Sequence, residues 1–365
     1  MTTPEVTVIC ATYNHERYIE DALKGFVAQA TSFRFCVLVG DDASSDATAS
    51  IIEEYAKRYP NIIIPILRKK NIGAGKNWED LISRTNSKYI AFCDGDDYWT
   101  DSLKLQKQFD YMESHPDLRA CFHDAEISIE TSDGTWFQSS DYCNTDDGRL
   151  LWPSGNKRFV KRSSYCIENF IPFGFVHTSS MFVKWDYRIG FPNWFFGHGM
   201  SDYPMWVLQV NSGKFGYLDE ALSIHRRTDQ GSYKFDNRTQ FWRKTKPGWV
   251  NLDTHLIRHF RQTNARKTII DALIARQKDD LAKLIKGSLE CDPPSETWSL
   301  LSAYRKLIRQ RFGIIVPKHH SQKALSLSIQ LLETLAPLPP YKKNRLAKLI
   351  RRINRQKERR YLSMK

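Results

Sequence analysis

The chain has 365 residues, 41% hydrophobic and 13% aromatic, enough apolar side chain for a large folded core and too much for a disordered polymer. It contains no run of about 18 apolar residues, which argues against a membrane-spanning helix. The formal charge of +13 is unevenly spread: residues 241–365 hold 28 Lys and Arg against 9 Asp and Glu, a net of +19, which leaves −6 on residues 1–240 and implies two parts with different partners.

The opening MTTPEVTVICATYN lacks the basic region and cleavage site of a secretion signal and reads as a first strand. The seven cysteines are odd in number, scattered and without a CxxC pair, so neither a zinc motif nor a redox motif is supported. Cys10, Cys36 and Cys93 lie in apolar runs where a thiol serves as a small hydrophobe, and a reducing, cytoplasmic compartment is expected.

Strand and helix patterns alternate over the first 125 residues. VTVICA (6–11), FCVLVG (35–40), IIIPIL (62–67) and KYIAFC (88–93) each precede an amphipathic stretch of ten or more residues, the signature of βαβ units and a parallel sheet. Loop residues stand where strands end: TYNH after the first, DDASSD after the second, DGDDYWTD after the fourth. Ligands of open α/β sheets bind beyond the carboxyl ends of the strands, so these segments are expected to face one acidic crevice.

From residue 119 to 240 the pattern loosens into CFHDAEISIE, GTWFQSS and VHTSSMFVK, then a helix at SDYPMWVLQVNSG, then KFGYLDEALSIHRR. Beyond 241 the chain reads as helical and basic, with DPPSE (292–296) and APLPP (336–340) as the expected linkers. Leu346, Leu349, Ile350 and Ile353 share one face of a helix over 341–362, with Lys348, Arg351, Arg352 and Arg355 among the basic residues around it. That is the pattern of an interfacial helix on an anionic membrane, or of one packing its stripe on the rest of the protein. No RNA-binding module is recognisable, and no nucleic-acid partner is expected.

In AFCDGDDYW, helix capping accounts for one carboxylate at most, whereas Asp94, Asp96 and Asp97 together with Asp41 and Asp42 point to a divalent cation held with substrate phosphates. Asp101, just before SLKLQKQF, is the expected cap of the next helix. TVICATYNHERYIEDAL, VLVGDDASSDAT, NIGAGKNWEDLISRTNSKYIAFCDGDDYWTDSLKLQ and GMSDYPMWV, in that order, resemble the family 2 glycosyltransferases of bacterial surface-polysaccharide type, over roughly residues 4–235.

The resemblance implies an α/β GT-A fold: a Rossmann-like, mostly parallel sheet flanked by helices. Residues 1–240 would be the catalytic domain, with 1–125 binding the nucleotide and 126–240 the acceptor, and 241–365 a basic helical extension. It implies inverting transfer from a nucleotide sugar, likeliest UDP-linked, to a hydroxyl of a glycan or lipid-linked acceptor, with Mn²⁺ or Mg²⁺. By matching position, Ala11, Thr12, Tyr13, Asp42, Lys76, Asp94 and Gly95 would meet the donor nucleotide; Asp96 and Asp94 the metal, with His225 as a further ligand; His225, Arg226 and Arg227 would form a lid over the phosphates; and Asp202 would be the base.

Alternatives stand beside each role. Asp202 suits the first turn of a helix, His225 a structural role, and Lys76 a solvated helix face. The aromatic run FPNWFFGHGMSDYPMW (191–206) suits an acceptor pocket or ordinary core. A GDD-type polymerase is disfavoured by the helix pattern after DGDD and the parallel strands before it. The remaining alternative is a catalytically inactive, membrane-associated glycan-binding scaffold on the same fold. The expected location is the cytoplasm, at the inner face of the cell membrane.

Overall fold

The computed structural model describes residues 3–129, 151–154, 156, 159–195, 202–227, 238–291, 294–313 and 316. Strands β1 (Val6–Thr12), β2 (Phe35–Asp41), β3 (Ile63–Leu67) and β4 (Tyr89–Phe92) alternate with helices α1 (Ile19–Val27), α2 (Thr48–Arg58) and α3 (Ala74–Ser83). Every residue of β1 and β4 is buried, as in a strand covered on both faces by helices. The buried residues of α1, Ile19, Ala22, Leu23 and Phe26, recur at helical spacing and form one apolar stripe. They join Val6, Val8, Cys10, Val37, Val39, Ala91 and Cys93 in the main core, where each fully buried large aliphatic or aromatic side chain is worth about 1.5–3 kcal/mol.

After β4 come β5 (Tyr98–Trp99), α4 (Lys104–Ser114), β6 (Leu118–Ile129), β7 (Leu151–Trp152), β8 (Ser164–Cys166), α5 (Ile167–Phe170) and β9 (Phe182–Lys184). Then follow α6 (Asp202–Gln209) and β10 (Lys214–Arg227). The sheet runs β3-β2-β1-β4-β9-β6-β10-β5, with β7 on β6 and β8 on β10. β1, β2, β3 and β4 pair in parallel, as do β6 and β10; the short β9 enters antiparallel between β4 and β6. The long strands therefore run one way, and this is the GT-A arrangement. The chain departs from β1 toward β2 and β3, then returns to β4 on the other side, so the ends of β1 and β4 flank a topological switch point.

Sequence patterning missed β5. Tyr98 and Trp99, read as part of a loop, pair antiparallel with Ile224 and Ser223 of β10, contacts 126 and 124 residues away in the chain that no local pattern carries. Asp101, the expected cap of α4, instead accepts the Leu103 amide at 2.6 Å in the turn before it; Leu103 is the N-cap, and no side chain caps the helix.

The chain divides into two compact units: Met1–Lys234 with Thr254–Leu273, and Phe235–Asp253 with Ile274–Lys365. The described part of the second unit draws on α7 (Arg238–Gln262), α8 (Lys267–Cys291), α9 (Pro294–Ala303) and α10 (Arg305–Phe312). Its core holds Val250, Leu281, Ile285, Leu301 and Ile308, beside a buried, doubly hydrogen-bonded Arg276–Asp253 pair at 2.7 and 3.0 Å. The linker expected at DPPSE is narrower than that, because Pro294 opens α9, where a missing N–H costs nothing. APLPP and the basic helix of 341–362 lie outside the described residues.

Candidate active site

Three strand ends build one acidic crevice. At the end of β1, Ala11 accepts the Gly95 amide at 2.9 Å and Thr12 accepts the Asp42 amide at 3.0 Å, which ties TYNH to both acidic loops. Gly95 is required by close approach: a Cβ there would stand 2.6 Å from Thr12 Oγ1 and 3.0 Å from His15 Nδ1. Tyr13 is exposed beside this junction. Asp42 is buried and accepts the amides of Ile72 at 2.8 Å and Gly73 at 2.9 Å, so it clamps the loop that opens α3. Lys76 is exposed on the first turn of that helix.

Asp94, Asp96, Asp97 and Asp202 share one electrostatic neighbourhood. Burial pushes the Asp94 carboxyl well above the usual carboxylate range, and the charges of Asp96, Asp97 and Asp202 push it further, against a hydrogen bond from the Trp78 indole. Asp96 is raised by burial and by Asp97, with His15 and His225 opposing. Asp97 is raised by burial, with His177 and the Arg226 amide opposing. Such a set is destabilised by its own negative charge, and a bound cation removes that cost.

β5 and β10 bring the other half of the site to DGDD. Register shifts between Leu218 and Ala221 and between Ala221 and Ser223 precede the end of β10, and such irregularities re-aim side chains. His225 Nδ1 stands 3.1 Å from Asp97 Oδ1, and the Arg226 amide donates to the same oxygen at 2.9 Å. The Arg226 guanidinium pairs with Asp21 and covers the Tyr98 ring at 4.4 Å. Arg227, adjacent on β10, acts by charge on both His177 and His225.

His177 was not singled out in the sequence. VHTSSMFVK, which reads as strand-like, forms a 3-10 turn at Thr178–Ser180 capped by the His177 ring, which accepts the Ser179 amide at 3.3 Å. The turn is held from three sides: Trp99 Nε1 donates to Ser179 O at 3.1 Å, Gln108 Nε2 to Ser180 O at 2.8 Å, and the Ser179 and Ser223 hydroxyls meet at 3.0 Å. This sets His177 against His225 with ring centroids 3.9 Å apart, and His177 Nδ1 lies 3.8 Å from Asp97 Oδ2. Burial drives His177 down to about 3 and His225 down to about 4, so both imidazoles are neutral at pH 7.

Asp202 is the first residue of α6; its Oδ2 receives the Thr178 hydroxyl at 3.4 Å and its Oδ1 the Tyr203 amide at 2.7 Å. Burial raises its carboxyl above the usual range, with the Tyr203 amide and the Thr178 hydroxyl opposing. Of the aromatic run 191–206, Trp206 packs edge-on against Phe92 and Tyr203 stacks on Phe170, as core; residues 196–201 lie outside the described set.

The structure thus gathers Thr12, Gly95, Asp94, Asp96, Asp97, Asp202, His225 and Arg226, and adds His15 and His177. His15 was legible only as the last letter of TYNH. Lys348, Arg351, Arg352 and Arg355 lie outside the described residues.

The residues present fit a divalent cation. Among the described residues Thr12 Oγ1 and His15 Nδ1 are buried without a hydrogen-bond partner, and ligand atoms of Asp97, His177 and His225 lie within 4.8 Å of one another. Among the described residues no helix is long and apolar enough to cross a membrane.

Comparison with known proteins agrees with this architecture. The family model described as glycosyl transferase family 2 matches residues 7–184. An uncharacterised protein of Mycobacterium tuberculosis is 34% identical over 248 residues, 65% of this chain and 63% of the relative, so the chain spans less than two thirds of that protein. A glycosyltransferase of Methanocaldococcus jannaschii, itself uncharacterised, is 32% identical over 244 residues, 64% of this chain and 74% of the relative. Among solved structures, residues 1–349 of S. aureus TarS in complex with UDP-GlcNAc superpose with a TM-score of 0.55 at 16% identity, covering 90% of this chain and 87% of that fragment, which is a likeness of fold. With the model matched from β1 through β9 and the archaeal relative covered over most of its length, the chain belongs to glycosyl transferase family 2.

Proposed function

We propose that the crevice binds a nucleotide sugar, UDP-linked, together with a divalent cation, and transfers the sugar with inversion to a hydroxyl of a glycan or lipid-linked acceptor in surface-polysaccharide assembly. The observation that carries this reading is the convergence of Asp94, Asp96, Asp97 and Asp202 with His225 and Arg226 at the switch point of the sheet. The fold shared with TarS, captured with UDP-GlcNAc, supports that class of donor.

In this reading the end of β1, from Ala11 to Tyr13, and the loop clamped by Asp42 receive the nucleoside, with Lys76 nearby on α3. The crevice carboxylates, with Asp96 foremost, would hold the cation, whose charge would support the diphosphate as a leaving group. Arg226 and Arg227 face the phosphates from β10. Asp202 accepts the proton of the acceptor hydroxyl while that oxygen attacks the anomeric carbon. The bond from that carbon to the phosphate oxygen breaks, and the nucleoside diphosphate leaves. The Thr178 hydroxyl steadies Asp202 for this step. The basic segment 341–362 would hold the enzyme at an anionic membrane surface on the cytoplasmic side.

A thermal-shift panel of UDP, dTDP, GDP and CDP, each with and without Mn²⁺, tests the donor reading. A ligand at about 100 times its dissociation constant adds roughly 2.7 kcal/mol of stability. A shift with UDP that requires the cation is expected. No shift with any nucleotide would overturn the reading in favour of an inactive scaffold.

A further inference from the structure

Resting on the donor reading above, we propose that Asp21, on the first turn of α1, is a positioning residue for the diphosphate end of the crevice. It binds the Arg226 side chain and thereby anchors the end of β10. This divides the two arginines there: Arg227 turns its charge toward the phosphates, and Arg226 is the strut that holds the strand. Asp21 lies within TVICATYNHERYIEDAL, where a carboxylate on the first turn of a helix reads as no more than a favourable charge.

Strand alternation separates the arginines. Successive side chains of a β-strand point to opposite faces, and β10 pairs with β6 without a register shift from Ser223 to Arg227. Ser223, His225 and Arg227 therefore share one face, and Ile224 and Arg226 the other. The contacts agree. The Ser223 hydroxyl meets that of Ser179 at 3.0 Å, the His225 and His177 rings lie 3.9 Å apart, and Arg227 acts by charge on both histidines. The Arg226 guanidinium lies instead against α1.

That guanidinium is fully committed. One nitrogen, Nη2, pairs with Asp21, and the other, Nη1, donates to the Asp96 carbonyl at 3.4 Å. Its carbon stands 4.4 Å from the Tyr98 ring centroid and 5.5 Å from that of Tyr18, both within cation–π range. A planar fork of donors serves several acceptors at once, which a lysine could not. The amide of the same residue donates to Asp97 Oδ1 at 2.9 Å, and Asp97 meets His225 Nδ1 at 3.1 Å. Arg226 thus ties α1, β5 and the DGDD loop to the strand that carries His225 and Arg227. The Arg226 side chain is 17% exposed and that of Asp21 44%, so the strut is sheltered while its anchor stays accessible to substitution without opening the core.

The test is titration of the full chain with UDP and with uridine, each with Mn²⁺, for the wild type, Asp21→Ala, Asp21→Asn, Arg226→Met and the Asp21→Ala/Arg226→Met double variant. Calorimetry follows UDP, ligand-observed NMR follows uridine, and a melting curve checks that each variant is folded. Uridine reads the nucleoside end alone; UDP adds the diphosphate. Asp21→Ala is expected to weaken UDP at least about tenfold, as when a residue behind a binding group is removed, and to leave uridine unchanged. Asp21→Asn, which keeps an acceptor oxygen for Arg226, should lose less. The double variant should bind UDP no more weakly than Arg226→Met, because Asp21 acts through Arg226. Tighter UDP binding by Asp21→Ala would overturn the proposal, since Arg226 would then be a phosphate ligand that Asp21 holds back. Unchanged UDP affinity, equal losses for uridine and UDP, or additive losses in the double variant would overturn it too. UDP binding that ignores Asp21 leaves the donor reading standing, whereas no UDP binding by the wild type removes both.

Discussion

Replacing Lys104 with methionine is expected to stabilise the protein, and the effect is calculable from its surroundings. Lys104 is fully buried, and among the described residues its Nζ has no hydrogen-bond partner; it lies over the Trp99 ring at 3.9 Å from the centroid, near Cys93 and Cys121. Burial lowers its pKa from 10.5 to about 7. At about 1.36 kcal/mol per unit, the lysine costs roughly 4 kcal/mol of stability at pH 7 and about 1 kcal/mol at pH 9.5. The sign follows from proton counts: between the folded and unfolded values the unfolded chain binds more protons, so this cost shrinks as pH rises. The cation–π contact returns about 2 kcal/mol while the amine is charged. Lys104→Met should therefore gain about 2–4 kcal/mol at pH 7 and about 1 kcal/mol at pH 9.5, with the thioether packing on Trp99 in place of the amine. Urea denaturation followed by tryptophan fluorescence, at both pH values, reads the difference. A variant less stable than the wild type at pH 7, or a gap that does not narrow toward pH 9.5, would refute the reasoning.

Three further outcomes are expected. Asp202→Asn should leave UDP binding by calorimetry nearly intact while transfer falls by roughly 10²–10⁴, the usual range for loss of a general base; equal loss of both would sink that role. Gly95→Ala should collapse nucleotide affinity because its Cβ would strike Thr12 at 2.6 Å from Oγ1, and unchanged affinity would mean that the junction of TYNH and DGDD is not where the nucleotide binds. Deleting residues 341–365 should weaken co-sedimentation with anionic vesicles and leave neutral vesicles unaffected.

The sequence by itself was enough for the first half of the sheet and for the acidic crevice. β1, β2 and β4 are apolar, β-branched runs separated by amphipathic helices, and the residues that punctuate them fall at carboxyl ends, so local periodicity carried the parallel pairing and the meeting of the acidic loops. Asp202 was legible only through the resemblance of GMSDYPMWV to the family, since a helix start alone would make it a first-turn carboxylate. The strand character of Tyr98–Trp99, the histidine pair and the buried lysine were not legible. Each depends on chain segments tens to more than a hundred residues apart: β5 with β10, the 3-10 turn with Trp99 and Ser223, and Lys104 with β4 and β6. A lone histidine in VHTSS or SIHRR carries no pattern of its own. Whether it is core, cap or ligand is decided by what the sheet sets beside it, because the interaction energy of a polar side chain depends on distance and burial, and local sequence encodes neither.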